Sequence, residues 1–443
     1  MRVVPEHVSA VLSALRFDGG YPEKLRRMPD PGWNALLAYT DLCHLTLPLA
    51  HLHGYFFPAW VQDRVGRNLF DNKARLQQVK SAYLEVAAEL RKAGLQHLVI
   101  KGFAQWEDYV ADPSLRLQSD IDIFCPPDSA FPAAQVLAEM GYKVVPTGPF
   151  SDHLPMMVRQ QDWKWRDNFF DPEIPAPLEV HYRFWNRARF RFGPTELNAF
   201  WSRRIVRSMP DFGFPALQCV DNLALSALHV LRDLCNNGLS PQKLYELAHF
   251  LHKNVRNSKL WNEWMQLHDP ALRQWQAVAF RLAQECFGNE VAPEVSEELQ
   301  RLPRPIRRWI VRYGLSSLWS CFPGKSKDYL WLHVALLDSL HDKLAVSCRT
   351  LLPAKFRIQR EAAWTEQVGP QRDVRRNKAV LSGLRIASRI AVHAAAITPT
   401  LWQGLKLFFA GRLTKATCHQ DGGVPHIDAT SKIRKMCDES TVL

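Results

Sequence analysis

The chain is poor in the features that settle a protein's class at a glance. Its nine cysteines fall singly, at 43, 125, 219, 235, 286, 321, 348, 418 and 437. No Cys-x-x-Cys pair occurs, which argues against a zinc ribbon or a thioredoxin-like dithiol. An odd number of scattered thiols in a long chain points to free cysteines in a reducing cytosol. No apolar run approaches the ~18 residues of a membrane span. The aromatic stretch 44–61 is broken by His44, Pro48, His51, His53 and Pro58 and reads as a buried or interfacial helix-turn. The first twenty residues lack a signal peptide's apolar stretch, with Glu6 interrupting early. No internal repeat is present. A cytoplasmic protein is expected.

What is there describes a globular chain of 443 residues, 47% hydrophobic and 23% charged. That length accommodates about two to four domains. The formal net charge is +12, unevenly spread. Residues 371–443 hold twelve Lys/Arg against five Asp/Glu, so this segment carries +7 and the preceding 370 residues only +5. The basic charge marks a C-terminal segment rather than the whole surface.

Periodicity divides the chain. Residues 1–66 read as helical and loop-rich. Over 71–92, Leu76, Val79, Tyr83, Val86 and Leu90 recur at spacings of three and four, the apolar face of an amphipathic helix. Gly94 is placed to end it. Then come a strand in "LQHLVIKG" (95–102), a helical piece at 103–111, an alternating strand in "PSLRLQSDIDIF" (113–124) and a short helix ending at Gly141. A strand "YKVVP" (142–146), a Pro-rich stretch (151–177) and a strand "PLEVHYRFW" (177–185) follow. The expected fold is α+β: a small mixed-sheet α/β domain over 67–205 and a helical accessory domain over 206–365. Residues 366–443 form a basic amphipathic segment with a disordered end.

The stretch "SDIDIF" (119–124) carries the chemistry. In a strand, residues i and i+2 share a face, so Asp120 and Asp122 point together while Ile121 and Ile123 face the core. Two adjacent carboxylates repel, and a divalent cation removes the conflict. A bare Asp-x-Asp more often sits solvated at a strand end. Its surroundings make the difference. Lys101 and Gly102 close a strand and open a helix, a place suited to phosphate. Downstream, "LEVHY" sets Glu179 and His181 on one face of another strand. If that strand lies beside the first, three carboxylates near a glycine turn form a two-metal site for in-line phosphoryl chemistry.

The order "KG … SDID … LEVH", with Asn72 and Arg75 in an Asn-x-x-Arg helix upstream and the helical His229 region downstream, resembles the uncharacterised nucleotidyltransferase family, within the DNA polymerase β-like nucleotidyltransferase superfamily. The resemblance spans roughly 70–250. It implies a fold with a nucleotidyltransferase-like α/β domain. It also implies that Asp120 and Asp122 ligate two Mg2+ ions bridging an NTP such as ATP. Glu179 would hold the second metal and help activate an acceptor hydroxyl, and Gly102 and Lys101 would meet the phosphates. Arg116 would neutralise phosphate charge or brace the carboxylates, and His181 would line the pocket. The implied acceptor is a small molecule, a sugar or a protein side chain, with polysaccharide biosynthesis as a setting. One departure stands out. Gly102 is followed by Phe103 and lies eighteen residues before Asp120, where the wider superfamily carries Gly-Ser or Gly-Gly about a dozen residues ahead.

Other candidates are weighed beside these. His153 is either a substrate contact or a loop histidine. His229 reads as helix packing, and His249 and His252, spaced i, i+3, as solvated or capping residues. Trp163, Trp165 and Trp185 stack a base or cover the sheet. Arg372, Arg375, Arg376, Lys378, Arg385 and Arg389, with Trp402, Phe408 and Phe409, either contact a membrane surface peripherally or cap the helical domain. A nucleic-acid acceptor is disfavoured, since the positive charge is not centred on the catalytic unit. The alternatives in function are a glycosyltransferase using Asp120 and Asp122 for a nucleotide-sugar, and a non-catalytic nucleotide-binding protein on the same fold.

Overall fold

Alternation in "IDIF" requires two differently covered faces, and the computed structural model supplies them. It describes residues 4–145, 152–194, 197–209, 212–320, 327–351 and 397–408. Seven strands form one mixed sheet in the order β3-β4-β5-β2-β1-β7-β6. They are β1 (Leu98–Val99), β2 (Ile121–Phe124), β3 (Tyr142–Val144), β4 (Met157–Arg159), β5 (Leu178–His181), β6 (Ile205–Met209) and β7 (Phe212–Ala216). β2 pairs parallel with β5 and antiparallel with β1. β7 pairs parallel with β1 and antiparallel with β6.

One face of the sheet presents Val99, Ile121, Ile123, Leu178 and Val180 to the helices Ala59–Lys92 and Pro127–Glu139. The helices answer with Val79, Tyr83, Val86, Leu90, Ala133 and Leu137. Ile121 and Ile123 are fully buried, each contributing ~1.5–3 kcal/mol relative to exposure. The other face holds Leu98, Ile100 and Phe124. It packs into a larger core built from the helices Cys219–Cys235, Pro241–Lys253 and Pro270–Phe287. Trp33 and Leu36 of the N-terminal helix Asp30–Leu42 belong to that same core. The α+β class is as expected. Two features cross the expected divisions at 66/67 and 205/206: the N-terminal helices share a core with the helices after 219, and the sheet runs on to Ala216.

Local differences have physical reasons. The long helix begins at Ala59, behind Pro58, and not at 71. The expected helix at 103–111 is only a 3-10 turn, Gly102–Gln105. Lys101 and Gly102 both have positive φ, which right-handed helices do not accommodate. β2 is four residues long, because the chain from 113 to 120 is taken up by side-chain bonds described below. β4, β6 and β7 have no counterpart in the sequence reading: β4 lies within the Pro-rich stretch, and β7 contains Pro215.

Cys43, Cys125, Cys219, Cys235, Cys286 and Cys348 are free thiols. Among the described residues, no helix is long and apolar enough to cross a membrane. The basic residues 372–389 and Phe409 lie outside the described residues. Trp402 and Phe408 fall on the described piece 397–408 and are exposed.

Candidate functional site

The parallel pairing of β2 with β5 sets Asp122 directly opposite Glu179 and Phe124 opposite His181. By the two-residue period of a strand, all four lie on the sheet face covered by the larger helical layer. Lys101 Nζ donates to Asp122 Oδ1 at 2.5 Å and His181 Nε2 donates to the same oxygen at 2.8 Å. His181 Nε2 stands 3.4 Å from Glu179 Oε2. Ligand atoms of Asp122, Glu179 and His181 lie within 4.8 Å of one another. Asp120 sits just ahead of β2, outside that trio, and shares no strand pairing.

The chain before Asp120 is held by side chains from the long helix. Arg75, 2% exposed, donates to the carbonyl oxygens of Gln118 at 2.8 Å, Ser119 at 3.1 Å, Ile174 at 2.8 Å and Asp171 at 3.5 Å. Asn72 Nδ2 donates to the carbonyls of Ser114 at 2.6 Å and Arg116 at 3.1 Å. Gln118 Nε2 donates to the carbonyl of Asp120 at 2.8 Å. The Gln118 side chain lies over Gly102, where an added Cβ would stand 2.4 Å from it. Gly102, at φ +52°, therefore answers first to Gln118. Beside it Lys101 adopts φ 61°, ψ −161°, a region used almost only by glycine and costing about 1–3 kcal/mol elsewhere.

Charge is arranged asymmetrically. Burial raises Asp122, but Lys101 and His181 outweigh it and hold its carboxyl well below the usual range. Burial likewise raises Glu179, and its hydrogen bond to His181 reverses the sign. His181 loses from burial and from Lys101, yet its two carboxylates leave it raised. Lys101 is raised because Asp122 overcomes the cost of burial. Asp120 has no such cation in contact. Burial and the negative charges of Asp122 and Glu179 push it up to about 6.

That asymmetry gives a prediction. A carboxyl raised in the native state binds its proton more tightly than in the unfolded chain, so its charge penalises folding above pH ~6 and stops doing so below its ordinary value of about 4. Asp120→Asn should therefore stabilise the metal-free protein at pH 7 by ~1–2 kcal/mol. This is below the ~3 kcal/mol that a two-unit shift would allow, because Asp120 retains partial contact with solvent. The gain should vanish near pH 4. Thermal melts of both proteins between pH 4 and 8 in chelator check it.

The helical layer adds residues that the sequence reading placed elsewhere. Arg232 donates to Asp152 Oδ2 at 2.9 Å and feels Glu179 as well; despite burial it is raised. His229 is buried, and burial together with Arg232 and Lys101 keeps it far below its ordinary value, hence neutral. Lys243 pairs with Asp233 at 2.7 Å and lies close enough to Asp120 to act on its charge. The signal for them was the polar set His229, Arg232 and Asp233 inside an otherwise apolar helix. Arg116 points away from the carboxylates and pairs with buried Glu246 at 2.9 Å, which ties the strand's approach to the helical layer.

His153 rests at the rim, its Nε2 4.0 Å from Glu179 Oε2 and its ring 5.1 Å from that of His181. The tryptophan indoles have protein partners: Trp163 donates to Asp171, Trp165 to Asp167 and Trp185 to the Phe192 carbonyl. His249 and His252 pack on Phe17. Among the described residues, they belong to no group able to hold a metal ion.

Two carboxylates and an imidazole converging in one partly buried spot can hold a divalent cation, and oxygen-rich sets of this kind suit Mg2+ or Mn2+. The fit rests on the donors themselves: Asp122 and Glu179 are ionised and need positive charge within reach.

A family model described as "Uncharacterised nucleotidyltransferase" matches residues 29–288. That is more than half of the chain, and the chain belongs to this family. The match is wider than the 70–250 of the resemblance, taking in the N-terminal helices that share the large core. Searches of the curated proteins and of the solved structures found no match.

Proposed function

We propose that the chain is an Mg2+-dependent nucleotidyltransferase that moves a nucleoside monophosphate from an NTP to a hydroxyl-bearing acceptor and releases pyrophosphate. The observation that carries this reading is the register of β2 against β5, which sets Asp122 opposite Glu179 with Asp120 beside them. Asp120, Asp122 and Glu179 would hold the metal, two ions in the full reading, and His181 can join them. Bound there, Mg2+ would supply charge neutralisation at the phosphates.

The chain's own groups do the rest. The acceptor oxygen forms a bond to the α-phosphorus as the bond from that phosphorus to the leaving pyrophosphate oxygen breaks. Lys101 stands at the mouth of the site to bind phosphate oxygens, with Arg232 and Lys243 adding positive potential from the helical layer. Proton removal from the acceptor suits a carboxylate with a value near neutrality, and Asp120 at about 6 fits better than Glu179, which His181 keeps ionised. Covering the sheet face with helices excludes water from the transfer. The acceptor would be a small molecule, a sugar or a protein side chain, and a cytoplasmic setting is part of the proposal.

Calorimetric titration of Mg2+ with each non-hydrolysable NTP tests it. Metal-dependent binding of one or more NTPs is expected, and it should disappear in an Asp120→Asn/Asp122→Asn double variant. Wild-type protein that binds no NTP with either Mg2+ or Mn2+ would overturn the reading.

A further inference from the structure

Resting on that reading, we infer that Lys101 is an exchangeable counter-ion: its ammonium holds the cation position on Asp122 until a metal takes it, and a polyphosphate then receives it. Three distances carry the inference. Nζ lies 2.5 Å from Asp122 Oδ1 and 3.4 Å from His181 Nε2, and His181 Nε2 lies 2.8 Å from the same carboxylate oxygen. These are atoms of the trio that can converge on a divalent cation. A cation seated among them competes with the ammonium for one oxygen, and like charges at such separation repel strongly.

The displaced ammonium cannot simply return to bulk water. The Lys101 side chain is 14% exposed, and its backbone is fixed at φ 61°, ψ −161° against the turn that Gln118 covers. An ammonium left there without an anion is costly. A polyphosphate chain at the mouth of the site removes that cost by offering its oxygens. Metal and polyphosphate should therefore bind with positive coupling, and coupling of this kind is reciprocal. The arrangement suppresses metal uptake by the free protein and ties it to arrival of the nucleotide.

The test measures Mn2+ affinity by calorimetry on wild type, Lys101→Met and Lys101→Arg, with and without a non-hydrolysable NTP, and records the melting temperature in each state. Lys101→Met should bind Mn2+ alone at least tenfold more tightly than wild type, show a larger Mn2+-induced rise in melting temperature, and lose at least tenfold of the coupling between Mn2+ and the NTP. Lys101→Arg keeps the charge and should stay close to wild type in Mn2+ affinity. If Lys101→Met fails to fold, Lys101→Gln, whose amide still donates to Asp122, takes its place. Wild type that binds Mn2+ while the neutral variant binds it no more tightly would overturn the exchange and leave the nucleotidyltransferase reading standing. Absence of Mn2+ binding in every variant, with and without the NTP, would overturn both.

Discussion

Asp122→Asn should cost the metal-free protein about 3–5 kcal/mol, the usual result of removing one member of a buried ion pair. Asp122 is 3% exposed, and its Oδ1 is the shared acceptor of Lys101 and His181. The amide keeps the volume and removes the charge that both cations need. The sign of the pH dependence follows from the depressed value of Asp122. Its contribution is fully present above the unfolded value of about 4 and is lost as pH falls toward the native one. The gap between the two proteins should therefore be widest near neutrality and close in acid. On the proposed function, transfer should fall about a thousandfold or more, equivalent to ~4 kcal/mol at ~1.4 kcal/mol per decade. Denaturant melts from pH 3 to 7, with turnover measured where the variant is still folded, separate the two effects. Equal stability across that range would show that Asp122 is not the partner of the two cations in solution.

Arg75→Met is the second large effect. One guanidinium serves the backbone carbonyls of Gln118, Ser119, Ile174 and Asp171, and burial pulls its own value down to about 10 while Asp120 and Asp171 oppose that fall. Each carbonyl left without a donor costs ~1–3 kcal/mol. These costs are not additive, and a total of about 3–5 kcal/mol is expected. Lys should rescue little, because it lacks the planar fork that reaches several acceptors at once. The same substitution should loosen residues 114–120, seen as faster amide exchange there than in the β5 strand. Exchange that rises uniformly across the protein would mean that Arg75 supports global stability and does not position Asp120.

The sequence determined the class of this protein and the identity of its carboxylates. Alternation alone put Ile121 and Ile123 on one face and Asp122 on the other, and the same rule joined Glu179 to His181. Residues i and i+2 share a face whatever the rest of the chain does. The long helix was legible from Val79, Tyr83, Val86 and Leu90 for the same local reason. Its polar continuation was not: Asn68, Asn72 and Arg75 are buried along the same stripe. A polar residue at a core spacing announces a hydrogen-bonding task without naming its acceptors, here backbone carbonyls some 40 to 100 positions later.

Only the tertiary structure decided which groups meet. Spacing placed Asp120 and Asp122 together. The strand begins at Ile121, and the neighbours of Asp122 became Lys101, Glu179 and His181, brought in by two different strand ends. Arg116, near the aspartates in sequence, is turned to Glu246. Arg232, His229 and Lys243, distant in sequence, face the site because the helical layer covers that side of the sheet. Periodicity is a property of one segment, and register between segments is a property of their packing. The residue types could therefore be read along the chain, but the charge balance of the site could not.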